Sequence, residues 1–303
     1  MTLPIINTPE YRLNVPSTDE EIRYRPFLVK EEKVLLVAQE TGSDKATYDA
    51  IRTIIKNCTL DDVDVDRLPL FDMEYIFLNI RAKSVGEIAK LKVKCPDDEE
   101  TEVDVEIDLT QIVVEMDEKH DARIQLTDDI GVLMMYPNFG TVSKQSIDTE
   151  KGKETEKLFD MISDCMYQIW NGEETFDVMD YSKKERKAFL DSLNHQQFEK
   201  LQNFFETMPT LKKNIEVTNP NTKVTSTLTL QGLSAFFLVA LSHINLANYY
   251  DTAFQMVQHH HWSLTEIENM LPWERDIYVD KLATHIKEEN ERIKEQQRKM
   301  KHG

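Results

Sequence analysis

Residues 24–38 read Tyr24-Arg25-Pro26-Phe27-Leu28-Val29-Lys30-Glu31-Glu32-Lys33-Val34-Leu35-Leu36-Val37-Ala38, and the period changes inside the stretch. Pro26 pushes Arg25 out of the α region, so Tyr24 to Val29 is expected to run extended. From Lys30 the apolar spacing becomes helical. Val34, Leu35 and Ala38 share one face, with Val37 beside it. The stretch holds no nucleophile, metal set or phosphate loop. It reads as a docking segment feeding a core helix, with Phe27 facing either the core or a partner.

Working outward toward the N-terminus, Pro4, Pro9 and Pro16 mark residues 1–22 as an extended arm. Toward the C-terminus, Thr41-Gly42-Ser43 breaks the chain before a helix with Tyr48, Ile51, Ile55 and Cys58 on one face. The acidic run Asp61 to Asp66 invites a calcium reading. A loop starting at Asp62 would need Gly and Glu where Arg67 and Met73 stand, so a plain acidic loop is the better account. Pro69 opens a third helix with Met73, Ile76, Phe77 and Ile80 on its stripe.

A hairpin follows. Ala89, Leu91, Val93 and Cys95 alternate with lysines, the turn is Pro96 to Glu100, and the return strand alternates Val103, Val105 and Ile107 with acids. More strands are expected at 111–116 and 122–135, and residues 143–155 read as a linker. From Glu156 a helical stripe is expected through Ile169 and Trp170, closed by Asn171-Gly172. Two further helices carry Phe189 to Leu193 and Phe198 to Phe205. A second hairpin turns at Asn219-Pro220-Asn221.

Leu233 to Val257 reads as one long central helix. Pro272 starts the last helix, with Trp273, Ile277, Leu282 and Ile286 on one face, and Glu288 to Lys301 reads as a solvated tail. The expected fold is α+β and helix-rich. It comprises an arm (1–22), an α+β domain (23–142), a linker (143–155), a helical unit with a hairpin (156–240) and a helical C-terminal region (241–303).

The formal net charge of −19 argues against nucleic acid and against an anionic membrane surface. No run approaches the ~18 apolar residues of a membrane span. The three cysteines, Cys58, Cys95 and Cys165, are scattered, as in a reducing cytoplasm, and each is most simply a small core residue. His259-His260-His261 cannot converge on one metal from consecutive helical positions and reads as the end of a helix. A zinc ribbon would need a second thiolate near Asp98, and the second hairpin turn offers Asn219, Pro220 and Asn221 instead. The two hairpins, each following helices, make a faint internal repeat. No cofactor or metal is expected. Nothing local supports a Cys–His hydrolase.

Arg25 to Lys33, followed by Phe71-Asp72-Met73-Glu74-Tyr75-Ile76-Phe77-Leu78-Asn79-Ile80-Arg81-Ala82-Lys83-Ser84-Val85-Gly86, resembles the T4-like bacteriophage baseplate hub family. The likeness covers roughly residues 20–240 and is strongest before Phe139. Members of that family can carry paired cysteines at hairpin turns, and this chain has Cys95 alone. Trp262 to Glu268 and Leu271 to Arg275 look like a small tail-assembly module.

The resemblance implies a non-enzymatic hub subunit or hub assembly factor that binds other phage tail and baseplate hub proteins, with an oligomer allowed. It would be found in host cytoplasm during assembly and in the tail baseplate of the virion. Arg25, Phe27, Lys30, Trp273 and Ile277 are the expected partner-binding residues. The alternative is a cytosolic adaptor or chaperone for another multiprotein complex.

Overall fold

The structure is a computed structural model that describes residues 8–141 and 154–302. The expected 143–155 linker thus lies almost wholly outside the described residues. The described part of the expected arm is a hairpin. β1 (Tyr11–Asn14) pairs antiparallel with β2 (Glu21–Tyr24), placing Tyr11 opposite Tyr24 and Leu13 opposite Ile22. Leu13, Val15 and Ile22 are buried, so alternation outweighs the prolines. At the turn, the Ser17 amide and hydroxyl both donate to the Asp72 carboxylate.

Three helices follow: α1 (Val29–Thr41), α2 (Asp44–Cys58) and α3 (Leu70–Ser84). The α1 face differs from the expected one. Leu35, Leu36 and Ala38 point inward with Val29, Glu31 and Glu32, while Val34 and Val37 are exposed. The stripe is displaced because two glutamates find partners inside, as described below. Gly42 ends α1 in the left-handed region that glycine adopts without strain.

β3 (Ile88–Lys94) and β4 (Glu102–Asp108) form the expected hairpin, with Lys90 opposite Glu106, Lys92 opposite Asp104 and Lys94 opposite Glu102. β5 (Val114–Glu115) is short and pairs with the start of β10 (Thr210–Thr218), which itself pairs with β11 (Thr225–Gln231). The strands expected over 122–135 are β6 (Arg123–Gln125) and β7 (Ile130–Met134).

The helix expected from Glu156 to Trp170 is half strand. α4 (Glu154–Cys165) stops at Cys165, and β8 (Met166–Asn171) pairs with both β7 and β9 (Glu174–Asp177). The hairpin turn is Gly172-Glu173, between the paired Asn171 and Glu174, with Gly172 at positive φ. Gly131 faces Trp170 across the ladder, and a Cβ there would sit 2.0 Å from the indole, so the strands approach this closely only with glycine.

The sheet β6-β7-β8-β9 takes two strands from each side of residues 143–155, so packing does not divide at the expected linker. Its core is completed by Leu190 from α5 (Lys183–Asp191) and by Leu201 and Phe204 from α6 (His195–Thr207).

The expected long helix over Leu233–Val257 is also two, α7 (Leu233–Ala240) and α8 (Leu246–His260). Asn245 caps α8 by accepting from the Asn248 amide, which restarts the helix in a new direction. α7 and α8 bring Leu233, Phe237, Ala240, Tyr249 and Met256 into one core with Phe27, Leu35, Ile51, Ile54, Ile76 and Phe77. His261 caps α8 in the left-handed region, the helix end expected of the histidine run.

α9 (Leu264–Glu268) and α10 (Pro272–His302) complete the chain. Every described side chain from Ala283 to Arg298 is exposed. Removing residues 288–303 is therefore expected to move the thermal midpoint by less than about 2 °C, read by circular dichroism. A fall of ten degrees would show that the tail packs on something.

Candidate partner-binding surface

Within six residues the quoted segment is tied to three other parts of the chain. The Arg25 amide donates to the Cys58 carbonyl at 2.9 Å, the Phe27 amide to Ser84 Oγ at 2.8 Å, and the Val29 amide to the Met270 carbonyl at 2.9 Å. Arg25 grips Glu31 with both terminal nitrogens, at 2.9 and 2.7 Å. Burial pushes the Glu31 carboxyl up, but the Arg25 hydrogen bonds and the Leu28 amide together hold it below the usual range.

Glu32, one residue on, has no exposed surface. It accepts from Arg275 on α10 and from His243 Nε2 at 2.8 Å, in the turn between α7 and α8. Burial pushes this carboxyl up, and the His243 hydrogen bond with the Arg275 charge outweighs it, so Glu32 stays ionised. An ion pair this deep is stabilising only while every partner is present.

The N-terminal end of α10 is therefore bolted to α1. Lys30 Nζ adds a bond to Asn269 Oδ1 at 2.9 Å, and Lys33 Nζ reaches Glu268 at 3.2 Å while lying over the Tyr249 and Tyr250 rings. The Glu274 carboxylate accepts from the Leu271 amide and closes the helix start. On this fixed frame, Trp273 is 39% and Ile277 47% exposed, one turn apart on the outer face of α10. α8 carries a second outward stripe, Tyr250, Phe254 and Val257, with Phe254 60% exposed.

Of the five sequence-predicted site residues, the structure presents Lys30, Trp273 and Ile277 outward. It spends Arg25 on Glu31 and buries Phe27 completely. The α8 stripe was missed. Its spacing of four and three is helical, but within an unbroken apolar stripe it reads as one more buried face of a central helix.

The two hairpin tips meet. Asn219 Nδ2 donates to Asp97 and to Asp98 Oδ2 at 2.8 Å, and Thr222 Oγ1 donates to Asp97 Oδ2 at 2.5 Å. Both turns close alike. The Glu99 amide donates to the Cys95 carbonyl and the Lys223 amide to the Asn219 carbonyl, each at 2.9 Å, with Glu99 and Lys223 at positive φ. The hydrogen bonds from Thr101 and Asn219 hold the Asp98 carboxyl well below its usual range. Among the described residues no group of three His, Cys, Asp or Glu side chains is placed to hold a metal. Cys165 and Cys58 are buried, and burial pushes the Cys165 thiol up to about 12.

A fourth buried carboxyl differs from Glu31, Glu32 and Asp72. Glu74 is 7% exposed and has no hydrogen-bond donor among the described residues, and burial pushes it up to about 8 from its ordinary 4.5. The folded chain then holds a proton here that the unfolded chain releases, so Glu74 costs stability as pH rises from about 5 through 8. Glu74→Gln is expected to raise the melting temperature, and the gain should widen between pH 5 and pH 8. A gain independent of pH would mean that Glu74 titrates normally.

A family model described as T4 bacteriophage base plate protein matches residues 8–238, from the N-terminal hairpin into α7. Among curated proteins and among solved structures, no relative matches the chain. The matched span holds both hairpins, their joined tips and the Glu31–Glu32 anchor, and the chain belongs to the T4 bacteriophage base plate protein family.

Proposed function

We propose that the protein serves the central hub of a contractile-tail baseplate, as a hub subunit or as the factor that assembles hub subunits. It acts by binding other tail proteins, without catalysis, in host cytoplasm during assembly. The observation that carries this reading is the pair of exposed apolar faces on α8 and α10, held on a frame that Glu32 and Arg275 lock from beneath. Large apolar side chains grouped on rigid helices mark protein contact surfaces. Arg25 and Phe27 serve this surface indirectly, by fixing the start of α1.

Co-expression with the other tail proteins of the same phage, followed by size-exclusion chromatography, tests the reading. The wild-type chain is expected to co-elute with at least one of them. Phe254→Asp combined with Ile277→Asp should abolish co-elution while leaving the melting temperature within about 2 °C, since both side chains are already exposed. A chain that stays alone with every tail protein would sink the proposal. Mass spectrometry of purified particles separates the two roles: a hub subunit is retained in the virion, and an assembly factor is not.

A further inference from the structure

Four carboxylates are buried among the described residues, and three are satisfied. Glu31 has Arg25, Glu32 has Arg275 and His243, and Asp72 has Ser17. Among the described residues no hydrogen-bond donor reaches Glu74. It lies on the wall of a partly open cavity of about 210 Å³ between α2, α3, α7 and the start of β10. The rest of that wall is mainly apolar, with Tyr48, Phe71, Pro137, Met208, Leu211 and Leu233. Burial keeps this carboxyl protonated in the free protein, and a cation entering the opening would favour its ionised form.

We propose that this cavity receives the side chain of a lysine on a partner protein, its ammonium pairing with Glu74 and its four-carbon stem lying against the apolar wall. The sign of the charge excludes an acidic group. A purely apolar side chain would leave the carboxyl still without a donor. A guanidinium carries five N–H groups in a fixed fork, and this wall presents one carboxylate, so a compact ammonium is the better fit. Lysine stems bury readily along apolar surface. The upward push on the Glu74 carboxyl agrees with an empty counter-charge position, because an entering ammonium would restore the ionised form. That the lysine belongs to a tail protein rests on the protein-binding reading above; the preference of the cavity for an alkylammonium does not.

The test uses the intact chain with methyl-labelled methionine and n-butylammonium as the lysine side-chain mimic. Saturable movement of the Met208 methyl resonance is expected, with affinity at least about tenfold lower in Glu74→Gln and lower for the uncharged n-butanol; tenfold corresponds to about 1.4 kcal/mol. Glu74→Gln removes an unsatisfied carboxyl, and its thermal melt confirms that it is folded. Absence of a saturable shift, equal binding of n-butanol, or undiminished binding by Glu74→Gln overturns the pocket. Unchanged affinity of Glu74→Gln for a co-eluting tail protein overturns the lysine donor. Failure to find any tail partner, with amine binding intact, overturns the protein-binding reading and leaves the cavity preference standing.

Discussion

Arg275→Met is expected to destabilise the fold by roughly 3–5 kcal/mol, the usual cost of leaving a buried charge without its partner. Glu32 is fully enclosed, and among the described residues Arg275 is the only permanent cation bonded to it. His243 remains as a second donor, but the buried Nδ1 of that ring has no partner of its own, so it cannot take over the role cleanly. Whole domains are stable by only ~5–15 kcal/mol, so the loss should show as a large fall in the urea midpoint. Adding Glu32→Leu to Arg275→Met should recover more than half of it, because removing both charges also removes the desolvation cost. A loss below about 1 kcal/mol, or no recovery in the double variant, would mean that water reaches Glu32.

Phe27→Ala comes second in expected size, at about 3–5 kcal/mol for a large ring removed from a filled core. The ring has no exposed surface and packs in the same core as Leu35, Ile76, Phe77 and Phe237. Below its lowered melting point the variant should still co-elute with tail partners, since the α8 and α10 faces lie elsewhere. Loss of co-elution by a variant that remains folded at low temperature would instead make Phe27 a contact residue.

The elements that were legible in the sequence are those with a single period. α2, α3 and the β3–β4 hairpin follow from spacing, from Pro69 and from the alternation of lysine and acid. β8 was missed because Met166 to Trp170 is a short apolar run that suits a helix continuing from α4 as well as a strand. Asn171-Gly172 is a strong hairpin signal, but at the end of an apolar helical stripe it suits a helix end equally well. The break between α7 and α8 leaves no gap in the apolar stripe, and Asn245 marks it only as a cap.

The least legible feature was the burial of Glu32. A glutamate at the start of a helix is ordinarily solvated. What buries this one is an arginine 243 positions away, and no local pattern carries that information. The resemblance carried by Arg25 to Lys33 together with Phe71 to Gly86 points to a T4-like baseplate protein without any contact. It does not carry the bonds that tie this segment to the C-terminal helices through Val29, Glu32, Lys30 and Lys33.

The core that joins Phe27, Ile51 and Phe77 to Leu233, Phe237, Tyr249 and Ile267 also sets a timetable for the ribosome. While the first two hundred residues emerge, α1 to α3 have nothing to cover the face that α7, α8 and α9 later occupy, and nascent chains with such uncovered faces are prone to stick. The helices that close this core leave the exit tunnel well after α1 to α3, and α8 and α10 also carry Phe254, Trp273 and Ile277. A truncated translation product therefore lacks both its finished interior and its outward apolar faces.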